Sequence, residues 1–153
     1  MDESDLKETV LELGPLFNAV SIDASENHRS FFLNFEDDHI RIETEAPSKY
    51  LIVSADIGSI PKGEEVVAFR TLLLTNGLTS LNEGTWFGLD GGDEGVTMHF
   101  RISLEGETPH TLYQIIAWFR TRVTHWRRIV SSFGNGTTAH RASNDPGAHI
   151  VRG

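Results

Sequence analysis

The chain has 153 residues, 39% of them hydrophobic and 23% charged, with a formal net charge of −9. This is the profile of one soluble globular domain with enough chain to bury a core, and its acidic balance disfavours nucleic acid and anionic membranes as partners. The absence of cysteine excludes disulfides, thiolate metal sites and cysteine nucleophiles, and it suits a reducing cytosol.

The first residues, MDESDLKE, are acidic where a signal peptide would be basic, and no apolar run approaches the ~18–20 residues of a membrane span. A cytoplasmic protein without membrane insertion is therefore expected. Asp5 and Glu8 have the spacing of an N-terminal capping pair, and Leu6, Val10 and Leu13 then share one helical face. Gly14-Pro15 predicts a break or kink. Asp23–Ser30 reads as an exposed loop. Phe31–Phe35, His39–Thr44 and Tyr50–Ala55 read as three strands joined by short turns, an antiparallel meander.

Gly63–Gly77 is the unusual stretch. Glu64 and Glu65 suit a first helical turn, but Val66, Val67, Ala68, Phe69, Leu72, Leu73 and Leu74 are spread around most of the circumference. Thr71 and Thr75 form only a narrow polar stripe, and Arg70 falls inside the apolar arc. A helix so apolar is buried on more than one side, so it is expected to pack on its own sheet and on a second copy of the protein. Leu78–Gly84 follows as a loop, Thr85–Asp90 as a strand and Asp90–Gly95 as a hairpin turn. Val96–Glu105 alternates with period two, the clearest strand in the chain.

Thr108-Pro109 opens a last helix, along which Leu112, Ile115, Ile116, Phe119, Val123, Trp126 and Val130 recur every three or four residues. From Ser131 the periodicity is lost. The reading is one α+β domain over residues 1–130, in the order α-β-β-β-α-β-β-α with a twisted, mainly antiparallel sheet, followed by a disordered tail over 131–153. All but one of the 22 acidic residues precede His110, whereas Arg120, Arg122, Arg127 and Arg128 lie together on the last helix. They read as a solvated face or as partners of acids on this or a neighbouring subunit.

No catalytic or metal constellation emerges. The histidines lack the i, i+4 spacing of a helical zinc pair, and neither a G-x-S-x-G elbow nor a phosphate-binding P-loop is present. Gly91-Gly92-Asp93-Glu94 spells the core of the diguanylate cyclase signature, but Gly95 stands where the aromatic belongs, and a Gly/Asp-rich hairpin turn has its own backbone reasons. Glu36, Asp37 and Asp38 read as a charged hairpin tip. Tyr113 and Trp118 sit at the edge of the last helix's apolar stripe, where they either close the core or line a groove. Catalytic residues, cofactors and metal ligands are therefore expected to be none.

The ordered set LLLTN at Leu72–Asn76, WFGLD at Trp86–Asp90, the strand Val96–Leu104, YLIVSADIGSIP at Tyr50–Pro61 and the aromatic last helix resembles the class I chaperones of bacterial type III secretion, the Tir-chaperone family. The resemblance spans roughly Leu6–Val130. It implies a homodimer without ATPase activity that binds the N-terminal region of a secreted effector in extended form, keeps it soluble and holds it ready for the secretion apparatus. It also implies a dimer interface from the middle helix and the next strand, by position Val67, Phe69, Arg70, Leu73, Leu74, Trp86, Phe87 and Leu89, with Arg70 at the seam. Effector grooves are implied at the first helix and first strands, by position Leu6, Val10, Leu13, Phe31, Leu33, Ile40 and Ile42; the sequence leaves open which of these face a groove and which the core. Two other readings stand beside this one: a regulatory or interaction module of the same fold, and a nucleotide- or metal-dependent enzyme using Asp93 and Glu94.

Overall fold

The structure is a computed structural model that describes residues 3–25, 29–45, 50–79, 84–90 and 95–143. Its elements are α1 (Glu3–Leu16), β1 (Ser21–Ala24), β2 (Ser30–Asn34), β3 (His39–Glu45), β4 (Tyr50–Ser59), α2 (Glu65–Thr79), β5 (Thr85–Leu89), β6 (Gly95–Ser103) and α3 (Pro109–Ser143). The six strands form one sheet in the order β1-β2-β3-β4-β6-β5, each pair antiparallel. This is the expected α+β architecture with one strand more than the sequence suggested. The turns expected at 46–48 and 91–94 lie outside the described residues.

Alternation along the strands gives the sheet two chemically different faces. Cross-strand partners Phe31, Ile42, Val53 and Phe100 run along one face, as do Leu33 and Ile40. Together with Leu51, Ala55, Ile57, Val96, Met98 and Ile102 they meet Val10 and Leu13 of α1, Ala68 and Leu72 of α2, and Leu112, Ile116, Phe119, Val123 and Val130 of α3 in one core cluster. A bulge between Asp56 and Gly58 interrupts the β4–β6 ladder. Gly58 takes a φ of 112° there, a backbone state that favours glycine.

Two local expectations are corrected, and the break expected at Gly14-Pro15 is found one residue on. The segment read as a loop from Asp23 begins inside β1, whose residues pair with β2 from Ser21–Asn34 to Ala24–Phe31. Four residues of mixed polarity carry too little alternation to announce a strand, and the pairing comes from β2. Pro15 lies within the last turn of α1, and the helix stops one residue later in a Schellman arrangement. Asn18 has a φ of 54°, the Ala19 N–H donates to Gly14 C=O at 2.9 Å and the Asn18 N–H to Pro15 C=O at 3.2 Å. Finally, α3 does not end at Val130 but continues to Ser143. Phe133, one turn beyond buried Val130, packs against the core, and the Ser131 and Ser132 hydroxyls donate back to carbonyls three residues earlier.

Arg127 anchors α3 to the sheet. Its Nε and one terminal nitrogen donate to the Asp56 carbonyl at 3.0 and 2.6 Å, and the same nitrogen reaches Asp38 Oδ1 at 2.5 Å. At least this one of the four arginines therefore pairs within its own subunit. Arg120 instead stacks on Phe35, its guanidinium carbon 3.8 Å from the ring centroid.

Candidate functional site

The first candidate surface is built by α2 and β5. The Glu65 carboxylate accepts the Gly63 N–H at 2.9 Å, which fastens the start of α2 and holds that carboxyl below its usual pKa. β5 is an edge strand, and α2 covers part of that edge. The Asn76 side chain both donates to Phe87 C=O at 3.0 Å and accepts from Phe87 N–H at 2.7 Å, and the Thr79 hydroxyl donates to Thr85 C=O. Thr71, Thr75 and Thr79 each return their hydroxyl to the carbonyl four residues back, so the expected polar stripe is satisfied by its own helix.

Only Ala68 and Leu72 of α2 are fully buried. Val66, Val67, Leu73, Leu74 and Leu78 are all more than half exposed, Val66 at 80%, and Leu89 of β5 joins them. A cavity of about 220 Å³ lies between the two elements, lined by Phe69, Leu72, Leu73, Asn76, Phe87, Gly88 and Leu89. Of the residues the sequence assigned to an interface, Val67, Leu73, Leu74 and Leu89 are exposed. Phe69 and Trp86 are partly covered, Phe87 is buried, and Arg70 is exposed within the apolar arc. Contiguous exposure of large apolar side chains on this scale marks an interaction surface.

The residues assigned to a groove are placed differently. Val10, Leu13, Phe31, Leu33, Ile40 and Ile42 are each no more than 1% exposed, because they lie on the sheet face and helix stripe that pack against each other. In the single chain they belong to the core cluster. The Leu6 side chain lies outside the described residues. The open apolar groups in this region are Leu11 and Leu16 of α1 and Val20 just before β1. Val20 leads directly into β1, which has a partner on one side only among the described residues. Ile22 of β1 rests on Gly14 of α1, where an added Cβ would fall 2.3 Å from the Ile22 side chain. This close approach carried no periodic signal in the sequence.

The other sheet face carries a cross-strand row of Phe32, Arg41, Ser54, His99 and Trp86. His99 contacts Ser54 Oγ through Nδ1 at 2.9 Å and Thr97 Oγ1 through Nε2 at 2.8 Å, and its ring stacks on Trp86 with centroids 5.2 Å apart. Burial, and then the Arg41 charge, lower its pKa. Ser54 and His99 resemble a nucleophile and base, yet the second imidazole nitrogen meets Thr97 where a triad places a carboxylate. Among the described residues no group of His, Asp and Glu is arranged to hold a metal ion, and Asp93 and Glu94 lie outside them. Tyr113 stacks on Phe17 at the core margin, while Trp118 stays 39% exposed against Phe100.

The chain thus combines a six-stranded antiparallel sheet with a largely exposed apolar helix, and no catalytic group is assembled among the described residues. The sequence matches the Tir chaperone protein (CesT) family over residues 11–127. The chain belongs to that family.

Solved structures agree in fold with this CesT-family chain. A chain of the ExsC–ExsE complex superposes with a TM-score of 0.69 at 19% identity, covering 85% of this chain and 97% of that one. A chain of the HopA1–SchA chaperone–effector complex gives 0.60 at 17% identity, covering 84% and 98%. The Yersinia pestis type III secretion chaperone SycH, in complex with a stable fragment of YscM2, gives 0.56 at 13%, covering 78% and 98%. Comparison with curated protein sequences gives no match. The matched range contains the whole sheet and α2 and leaves the start of α1 and the end of α3 outside it.

Proposed function

We propose that this protein is a cytoplasmic, homodimeric type III secretion chaperone that binds the N-terminal region of a cognate effector in extended form, keeps it soluble and competent for the secretion apparatus, and performs no chemistry. Membership of the Tir chaperone family carries the reading. The α2–β5 face supports the dimer: Val67, Phe69, Arg70, Leu73, Leu74 and Leu89 supply its contact surface, with Phe87 as a buried support, whereas Trp86 lies on the opposite sheet face against His99. The six exposed apolar residues of α2 and β5, Val66, Val67, Leu73, Leu74, Leu78 and Leu89, each contributing a fraction of the ~1.5–3 kcal/mol of full burial, exceed the lower part of the ~4–15 kcal/mol association cost.

The effector surface is proposed at the open edge of β1 with Leu11, Leu16 and Val20 beside it. An extended segment gains main-chain hydrogen bonds from an unpaired strand, and neighbouring apolar groups select its side chains. The core residues Val10, Leu13, Phe31, Leu33, Ile40 and Ile42 form the floor beneath that surface. The domain proper extends to the point where α3 leaves the sheet, and the segment after it is proposed to be dispensable for binding.

Co-expression with the product of the adjacent gene tests the function. The expected result is a soluble complex that survives gel filtration, with the partner insoluble when expressed alone. Leu16→Glu combined with Val20→Glu is expected to abolish that complex while the chaperone keeps its dimer mass. A partner that is soluble alone and is never retained would sink the secretion reading.

A further inference from the structure

β5 reads Thr-Trp-Phe-Gly-Leu, with three strand-favouring residues, no charge and no proline. It pairs with β6 from Thr85–Phe100 to Leu89–Val96 without a register shift, so no bulge turns its outer side away. Edge strands are guarded by charge, by proline, by a bulge or by a covering element, and only the last of these is left to β5. The ladder fixes which of its groups face outward. The Arg101 N–H donates to Gly84 C=O at 3.1 Å and the Asp90 N–H to Gly95 C=O at 2.9 Å. Bonded and non-bonded pairs alternate in an antiparallel ladder. Trp86 and Gly88 therefore bond to β6, while Thr85, Phe87 and Leu89 turn their N–H and C=O to the free edge.

The α2 side chains that meet this edge continue the buried stripe of the helix. Ala68, Leu72, Asn76 and Thr79 share one face. Ala68 and Leu72 are buried, and the stripe turns polar where it passes the backbone of β5. Asn76 makes with Phe87 the pair of bonds that a residue of a neighbouring strand would make, donating to the C=O at 3.0 Å and accepting from the N–H at 2.7 Å. The Thr79 hydroxyl takes the Thr85 C=O at 3.0 Å. We propose that Asn76 and Thr79 plug the β5 edge against strand addition, and that without them β5 accepts an extended strand of another copy of the chain. The Asn76 amide stands in for the peptide group of that strand. The plug leaves β1 as the strand-accepting edge. Its consequence for effector binding rests on the β1 reading above: one extended segment pairs with each subunit, at one edge and not at two.

Asn76→Leu removes both bonds to Phe87 and keeps a side chain of similar size. For the full-length variant alone, the Phe87 amide is expected to exchange about tenfold or more faster by NMR, with the Met98 amide of β6 unchanged. Its light-scattering mass should climb with concentration above that of the parent, whatever mass the parent shows. Leu89→Pro in the same background removes an outward N–H and should return the parent's mass. Leu89→Ala, which sheds the same side chain and keeps the N–H, should not. An unchanged Phe87 exchange rate overturns the plug, because Asn76 then shields nothing. A faster rate with the parent's mass at every concentration also overturns it, because the open edge then accepts no strand. So does added mass that Leu89→Ala reverses as well as Leu89→Pro, since that assembly runs through side chains. Asn76→Ala is measured in the same way if Asn76→Leu does not fold. Failure of both to fold makes the bonds a condition of folding and overturns the proposal. No effector is present in any of these measurements, so their outcome is independent of where an effector binds, which the co-expression experiment decides.

Discussion

Leu73→Asp puts the α2 face to its most direct test. In the single chain the Leu73 side chain is 69% exposed, so its loss takes little from the subunit's own core. In the proposed dimer that exposed fraction is buried. At ~1.5–3 kcal/mol for a whole leucine, about two-thirds of it amounts to roughly 1–2 kcal/mol per copy and roughly 2–4 for the pair. Aspartate adds an uncompensated charge to a desolvated seam, an effect of about 3–5 kcal/mol where buried ion pairs have been broken. A total near 5 kcal/mol or more weakens the dimer by roughly a thousandfold to ten-thousandfold at 1.4 kcal/mol per decade. Light scattering on a dilution series should give about twice the 17.0 kDa chain mass for the parent and the single-chain mass for the variant. Leu73→Met should behave as the parent. A Leu73→Asp protein that keeps dimer mass at micromolar concentration and melts at the parent's temperature would refute the assignment of this face.

Three further outcomes are expected. Thr85 is 1% exposed, and its hydroxyl has no partner among the described residues, so Thr85→Val should remove a desolvation cost of about 1 kcal/mol and raise the Tm by ~2–4 °C; a lower Tm would show that the hydroxyl is satisfied. Arg127→Ala removes the bonds from α3 to the Asp56 carbonyl and Asp38 and should cost ~2 kcal/mol, seen as a fall in urea midpoint at unchanged slope, with Arg127→Lys recovering part of it; an unaltered midpoint would mean that the contacts are worth nothing net. His99 has a lowered pKa in the folded chain, so as pH falls the unfolded chain takes up the proton first. Folding stability should then decline as pH drops through about 6.5, and urea titrations of His99→Gln between pH 8 and 5.5 should show a flatter profile; parallel profiles for the two proteins would remove His99 as the cause.

Much of the architecture was legible because burial writes itself into spacing. Val96, Met98 and Ile102 repeat at two, and Leu112, Ile116, Phe119, Val123 and Val130 repeat at three to four. The ordered set of segments then carried the family. What stayed hidden lacked a periodic signature. β1 is four residues long and exists because β2 offers it an edge. Its own Ile22 fits because Gly14 lets it approach α1, a contact between positions of no regular spacing. The end of α3 depended on Phe133 finding the core after the polar residues had begun.

The placement of the binding surfaces divides the same way. Alternation told which residues of β2 and β3 share a face, so Phe31 and Ile42 were grouped correctly. It did not tell which of the two faces the helices cover, and in the single chain those residues lie buried beneath them. For α2 the sequence alone determined that its apolar groups outnumber what one core contact absorbs. The tertiary structure decided which of them remain outside: Ala68 and Leu72 turn inward, while Val66, Leu73, Leu74 and Leu78 are left on the surface. Periodicity records that a side chain leaves water. Which neighbour it leaves water for is settled only when elements distant in sequence pack together, within one chain or between two.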